Sequence, residues 1–295
     1  MSTAPVSIGM PIYNGERYLE NTLDSVLAQT FSDFTFYISD NASTDKTQEI
    51  CERYAAKDSR IIYIRNAKNV GAAKNYDCCF TPATSEYFRW QNADDPIEPT
   101  LIEDCYNLLS ANPDYVLTYA KSRIIDEHGA LLRDYEDNLC LQQDSASERF
   151  IRCINDMRLQ NLMYGLIRRE PLKRTALLKA YTSSDLNLIA ELSMYGKFGE
   201  VPKRLFSRRV HPTASSYDMK DKEKLKDFWD PSKRQLIMQA WRSVYEYFKA
   251  TARAPISVRE KREICTYLLR HTYWRKDVLA TEISDLIKGT LKRAS

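Results

Sequence analysis

Histidine and glycine are both scarce in this 295-residue chain, at three and eight copies. The three histidines, His128, His211 and His271, are too few and too scattered for a multi-histidine metal cage. The glycines form neither G-x-G-x-x-G nor G-x-x-x-x-G-K-[ST], so a phosphate cradle of the dinucleotide or P-loop kind is excluded. A bound nucleotide would need its diphosphate neutralised by a metal or by basic side chains. The seven cysteines include no C-x-x-C pair, and their odd number argues against a disulfide framework or a thiolate zinc site. They read as small buried hydrophobes of a reducing compartment. Long apolar runs are missing as well. The longest stretch free of Asp, Glu, Lys and Arg is residues 1–15, and Pro5, Pro11 and Asn14 interrupt it. That falls short of the roughly 18–20 apolar residues of a membrane span, and no signal-peptide pattern is present. The expectation is a cytoplasmic protein.

What the chain does contain is a globular composition, 43% hydrophobic and 28% charged, with a hidden asymmetry of charge. Residues 1–200 carry 21 basic and 29 acidic side chains, whereas residues 201–295 carry 22 basic and 11 acidic. The net charge of +3 is therefore the sum of a −8 region and a +11 region. Two regions with different partners are implied.

Over the first 120 residues, β-rich runs alternate with helical patterns. Strands are expected at Val6–Met10 (ending at Pro11), Phe34–Ser39, Ile61–Ile64, Glu86–Trp90 and Tyr115–Ala120. Leu19, Leu23, Val26 and Leu27 recur at helical spacing. Further helices are expected from Asp45 to about Lys57, from near Gly71, and over Glu98–Ala111. Such alternation predicts an α/β fold with a Rossmann-like, mostly parallel sheet and helices on both faces. In these sheets ligands bind outside the carboxyl ends of the strands. The polar segments Tyr13–Glu16, Asp40–Asp45, Arg65–Lys74 and Asn92–Asp95 all fall there, so they should converge on one site.

Four of these segments carry a resemblance. Val6-Ser-Ile-Gly-Met-Pro11-Ile-Tyr13-Asn14-Gly-Glu16, Ser39-Asp40-Asn41-Ala-Ser43-Thr44-Asp45, Asn69-Val-Gly71-Ala-Ala-Lys74-Asn75 and Asn92-Ala93-Asp94-Asp95 resemble, in order and spacing, the family 2 glycosyltransferases. The match covers about residues 5–120 and continues more weakly to about 216. It implies a GT-A fold and inverting transfer of a sugar from a nucleoside-diphosphate donor, UDP above others, with Mn²⁺ or Mg²⁺. The acceptor would be a hydroxyl of a glycan or lipid-linked glycan in bacterial surface-polysaccharide or glycoconjugate synthesis. A sugar-phosphate nucleotidyltransferase, or a non-catalytic sugar-nucleotide-binding protein, is the alternative.

Asp94 has a rationale of its own, because magnesium is usually held by one or two carboxylates plus substrate phosphates. A solvated Asp-Asp-Pro turn is the bland reading of the same residues. The resemblance implies donor contacts from Pro11, Tyr13, Glu16, Asp40, Asn41, Lys74, Asn92 and Ala93, with Asp40 reading the base. Glu16 serves equally well as a first-turn acid, and Lys74 as a solvated helix lysine. The family usually has Asp at the position of Asn92 and Arg at that of Lys74. In Tyr181-Thr-Ser183-Ser184-Asp185, Ser184 stands where a Glu is usual, and Asp185 is the expected general base. Glu191 is a weaker substitute. Ser207-Arg208-Arg209-Val210-His211 resembles a terminal Arg-x-His element, with His211 as a second metal ligand and Arg209 on phosphate. Trp90 would line a sugar pocket or belong to the core.

A catalytic domain over 1–216 and a helical region over 217–295 are expected. Phe228–Thr251, 257–275 and 276–292 read as helices punctuated by Pro231 and Pro255. The basic excess includes acidic neighbours such as Glu260 and Glu263, and no nucleic-acid signature accompanies it. Two readings stand for this region: peripheral contact with an anionic leaflet, or helices packing on the core with lysines outward.

Overall fold

The structure is a computed structural model that describes residues 4–212, 214, 222–233 and 235–294. Four β–α units come first: β1 (Val6–Ile12) and α1 (Glu16–Leu27), β2 (Phe34–Asp40) and α2 (Thr47–Ala55), β3 (Ile61–Arg65) and α3 (Ala72–Phe80), then β4 (Tyr87–Trp90) and α4 (Leu101–Ala111). There follow β5 (Tyr115–Ile125), β6 (Leu131–Tyr135), α5 (Ala146–Asp156), a 3₁₀ turn (Asn161–Tyr164), β7 (Leu166–Arg168), α6 (Arg169–Lys173), α7 (Ser184–Ser193) and β8 (Lys197–Arg209). Four helices close the chain: α8 (Lys222–Trp229), α9 (Gln239–Arg253), α10 (Val258–Trp274) and α11 (Lys276–Ala294).

The sheet runs β3-β2-β1-β4-β7-β5-β6, with β8 on the other side of β5. Strands β1 to β4 pair in parallel, and β7 is antiparallel to both β4 and β5. Two reversals restore the original direction, so β5 and its parallel partner β8 run the same way as β4. The carboxyl end of β8 thus arrives at the same edge as those of β1 to β4. This is the mostly parallel α/β sheet expected, with antiparallel β7 and β6 added.

Apolar alternation places Val6, Ile8, Met10 and Ile12 in one core layer with Leu19, Leu23 and Val26 of α1. On the opposite face, Phe88 and Trp90 pack with Phe80 and, through the same cluster, with Phe150, Leu188, Tyr247 and Leu268. Helices α9 and α10 therefore share a core with the sheet. Trp90 is a core residue, with its ring near Tyr76, Phe80 and Phe88.

Two expectations need correction. Strand β1 does not end at Pro11, which pairs in register with Ser39. Gln91 N–H donates to the Gly9 carbonyl, and the next rung on that side would need the N–H that Pro11 lacks. Proline is tolerated there because the β1–β4 pairing stops at Gly9, two residues earlier. The helical face read over Phe228–Thr251 is split, since α8 ends at Trp229 and α9 begins at Gln239. Pro231 forbids continuation, and Leu236 and Ile237 lie outside both helices. The boundary expected near 216 lies outside the described residues.

Candidate active site

Segment 95–98 runs beside the end of β8, with Ile97 bridging Phe206 and Ser207 N–H donating to the Pro96 carbonyl. This pairing carries the 92–95 loop onto the residues that follow β8. His211 Nε2 lies 2.9 Å from Asp94 Oδ2, although 117 residues separate them in sequence. His211 is buried with its ring 4.7 Å from that of Tyr18, while the Asp94 carboxylate is 29% exposed. The pair sets one carboxylate oxygen and one ring nitrogen side by side. Among the described residues no group of three or more His, Cys, Asp and Glu could hold a metal. A cation here would draw its other ligands from substrate or water.

Asp95 points the other way. It is buried, and its carboxylate accepts Arg209 N–H at 2.7 Å and Asn92 Nδ2 at 2.8 Å. Burial first, and then the neighbouring Asp94 charge, push its pKa up to about 7. Asn92 is therefore a donor that holds the loop, which explains why a neutral amide serves at this position. Ala93 lies against the β1–α1 turn, where a Cβ added at Gly15 would sit 3.5 Å from its own.

Arg209, read from the sequence as a phosphate contact, turns its donors onto the protein itself. It is buried, with Nε on the Asp94 carbonyl (2.9 Å), one terminal nitrogen on Asn21 (3.1 Å) and the other on the carbonyls of Asp126 and Glu127. The guanidinium also lies over Tyr18 at 4.7 Å. It is a brace for the 92–95 loop. Alternation along β8 turns Arg208 to the opposite face, where it donates to Asn161 Oδ1 at 3.1 Å and to the Leu159 carbonyl. Its charge reaches Asp95, Asp137 and Asp185, opposing the effect of burial on each. The sequence reading passed over Arg208, and the signal that would have found it was the period of two.

Asp185 lies in the first turn of α7, after Ser183 in a left-handed conformation (φ 66°). Its Oδ1 accepts Leu186 N–H at 3.0 Å. Burial raises its pKa, against the pull of the helix N–H groups and Arg208. Ser184 is turned inward and its Oγ accepts Lys179 N–H. Glu191 cannot substitute as the base: it is buried and forked by Arg253, with both bonds at 2.8 Å.

The first two loops lock each other. Glu16 Oε2 accepts Lys46 N–H (2.8 Å) at the start of α2, and Asp45 Oδ2 accepts Glu16 N–H (3.1 Å) at the start of α1. Asn14 N–H donates to Ser43 Oγ, and Asn14 Oδ1 accepts Thr44 N–H. Glu16 does sit in the first turn of α1, the alternative position that the sequence left open, but its carboxylate reaches across to the start of α2. Asn41 is likewise internal, bonded to Asn69, Asn66 and Val70 N–H. Asn75 joins Ser39 and Asn66 to the same network. Asp40 is fully buried: Oδ1 accepts Ser43 N–H, and Oδ2 accepts Tyr63 Oη and Arg65. Pro11 is half-buried, whereas Tyr13 stands exposed on the rim. Lys74 is exposed in the first turn of α3, with no hydrogen bond or ion pair among the described residues. Gly71 precedes it at φ 83°, against the Trp229 carbonyl, which an added Cβ would approach to 2.6 Å.

A separate open cavity of about 730 Å³ lies on the far side of Arg209, along Arg17, Tyr18, Arg123 and Glu127. Its cations are spent on ion pairs, Arg17–Glu127 at 2.6 Å and Arg123–Glu98 at 3.1 Å. Tyr18 and Arg209 line it, but Asp94 and His211 do not.

The sequence profile of glycosyl transferase family 2 matches residues 7–170, more than half of the chain. The chain belongs to glycosyl transferase family 2. It is 34% identical over 133 residues to the uncharacterized glycosyltransferase MJ1057 of Methanocaldococcus jannaschii, covering 44% of this chain and 46% of that protein. The chain spans about half the length of the curated relatives it matches. In fold it is similar to Staphylococcus aureus TarS 1–349 in complex with UDP-GlcNAc. That likeness has a TM-score of 0.68 at 16% identity and covers 94% of this chain and 76% of the other. It is also similar to the mannosyltransferase PcManGT of Pyrobaculum calidifontis in complex with GDP-Man and Mn²⁺. There the TM-score is 0.54 at 15% identity, covering 98% and 86%. These likenesses establish the GT-A architecture. Among the described residues no helix is long and apolar enough to cross a membrane.

Proposed function

We propose that this family 2 member is an inverting transferase that moves a sugar from a nucleoside-diphosphate donor to an acceptor hydroxyl. The observation that carries the reading is the Asp94–His211 pair. Neighbouring ligands of an octahedral cation with bonds of about 2.1 Å lie about 3.0 Å apart, and these two atoms are 2.9 Å apart. The donor set therefore suits Mn²⁺ or Mg²⁺ completed by diphosphate oxygens. A bound cation would supply Lewis-acid stabilisation of the departing diphosphate.

The chain's own residues do the rest. Arg209 and Tyr18 hold the pair in place from below, and Asn92 with Asp95 fixes the loop. Lys74, exposed at the positive end of α3, supplies a point charge toward phosphate. Asp185 accepts the proton of the acceptor hydroxyl as that oxygen attacks the anomeric carbon in line. The transfer then needs one base and no covalent intermediate.

Uridine diphosphate is the nucleotide we expect, lying across Pro11 and Tyr13 with Asp40 accepting the imide N–H. Because Asp40 Oδ1 already holds Ser43 N–H, the base would have to compete with Ser43 and shift the 40–45 loop. A glycan or lipid-linked glycan acceptor in surface-polysaccharide synthesis fits the region 217–295, which we take as the acceptor-side part of the protein.

The test is a thermal-shift panel of nucleoside diphosphates and their sugars with and without Mn²⁺, since ligands stabilise according to affinity and free concentration. UDP should raise the melting temperature in a Mn²⁺-dependent way, and Asp94→Ala should remove that dependence. Asp185→Asn should keep the shift and lose at least a hundredfold in nucleoside-diphosphate release. Near-normal turnover by Asp185→Asn would overturn the base assignment. Full Mn²⁺-dependent binding by Asp94→Ala would overturn the metal assignment.

A further inference from the structure

The corner where α10 meets α11 exposes apolar and cationic side chains together. Leu269, Tyr273, Trp274 and Val278 are 65%, 66%, 64% and 52% exposed. They fall within ten consecutive residues, so they form one knuckle. Arg270, Arg275 and Lys276 are interleaved with them, and Lys276 Nζ lies 4.9 Å from the Tyr273 ring centre. None of these three side chains has a hydrogen bond or ion pair among the described residues, and Asp277 is the one acid within residues 269–278.

The acids that seemed to balance this region are used elsewhere. Glu260 accepts Ala146 N–H at the start of α5, and Glu263 accepts Ser147 Oγ. Glu282 accepts Ala240 and Trp241 N–H at the start of α9, and Glu246 is buried beside Arg242. These acids are held at the starts of other helices or beside Arg242 and Arg259, so none of them pairs with Arg270, Arg275 or Lys276.

From this arrangement we infer that the α10–α11 corner is a docking surface for an anionic lipid bilayer. Aromatic rings with polar rims favour the headgroup level, and adjacent cations are drawn to a negative leaflet. Charge complementarity argues against a second copy of this chain, because a two-fold contact centred here would set the three cations against themselves. The corner also lies at the Asp185 end of the molecule. Trp241 Nε1 donates to the Leu279 carbonyl at 3.0 Å, and Gln239 Oε1 accepts Thr182 N–H at 2.9 Å. A bilayer at the corner would present lipid-linked hydroxyls toward that end. This last consequence rests on the transferase reading, but the binding itself does not.

The test is co-sedimentation of the full chain with vesicles of phosphatidylcholine alone and of phosphatidylcholine with about 30% phosphatidylglycerol. Binding is expected on the anionic vesicles only, weakening as salt rises. The triple variant Arg270→Ala/Arg275→Ala/Lys276→Ala should lose roughly 100-fold in partitioning, at about fivefold per cation. Tyr273→Ser/Trp274→Ser should also weaken binding while leaving its salt dependence in place. Both variants alter exposed or half-exposed groups, and an unchanged melting temperature with an unchanged UDP shift would show that they fold. Absence of binding at low salt, equal binding to neutral vesicles, or full binding by the folded triple variant would overturn the proposal. So would a wild-type dimer that the double variant abolishes without any vesicle binding. Vesicle binding without sugar transfer would count against the transferase reading alone.

Discussion

Replacing Asn92 by Asp tests the internal logic of the 92–95 loop. In the native protein Asn92 Nδ2 donates to Asp95 Oδ2 at 2.8 Å, and the Asp94 charge lies next to both. A carboxylate at 92 would set two oxygens at that distance with no proton between them. Two unit charges 2.8 Å apart at an effective dielectric of 20 repel by about 6 kcal/mol. Solvent reaches residue 92, so about half of that, roughly 3 kcal/mol, is the expected loss of stability at pH 8. In melting temperature this is about 5 °C. The sign with pH follows from linkage. The pair's folded pKa is raised above the unfolded value near 4, so the variant is least harmed below that value. The loss then grows as pH rises through about 7, the value to which burial and the Asp94 charge push Asp95. Thermal or urea unfolding of both proteins at pH 5, 6.5 and 8 measures it. Mn²⁺ should return part of the loss at pH 8 by occupying the enriched carboxylate cluster. A difference in stability that is the same at all three pH values would refute the reasoning.

Other outcomes follow from groups already described. Arg253→Ala would leave buried Glu191 without its fork and should cost about 3–5 kcal/mol in urea unfolding, with the UDP shift preserved in the folded fraction. Gly71→Ala forces a left-handed φ on alanine and drives its Cβ against the Trp229 carbonyl, so it should cost at least about 1–2 kcal/mol. It should also expose Trp229, read as a red shift in its fluorescence. Because burial raises the pKa of Asp185, the acid limb of turnover should fall above the ordinary carboxylate range. An acid limb at or below pH 4 would deny Asp185 its role as the ionised base.

The sequence disclosed β1 to β5 and α1 to α4 because their apolar spacing is regular and polar loops bound each one. It concealed β8, in which six of thirteen residues are charged. Those charges are tolerated on a strand because Lys197, Lys203 and Arg204 each meet a carboxylate. Strand β7 is three residues long, too short for any periodicity to register. The site was legible as four converging loops, and the meeting of Asp94 with His211 was foreseen from family order. What single residues do inside the site was less legible. Glu16, Asn41 and Arg209 look like ligand contacts in isolation, yet their partners lie about 30 to 190 residues away in sequence. Only the folded backbone shows that their bonding capacity is already committed.

Strand β7 has a consequence for the order in which the protein assembles. Among the described residues it is the one strand joining β4, which ends at Trp90, to β5, and it ends at Arg168. The first four strands can pair as soon as they emerge from the ribosome, but the open flank of β4 must wait for its neighbour. At a synthesis rate of about 5–20 residues per second, that wait lasts about 4–16 s. During it the nascent sheet carries an unpaired rim of the kind that recruits foreign strands. Three residues in the middle of the chain thus set how long the newborn protein needs shielding.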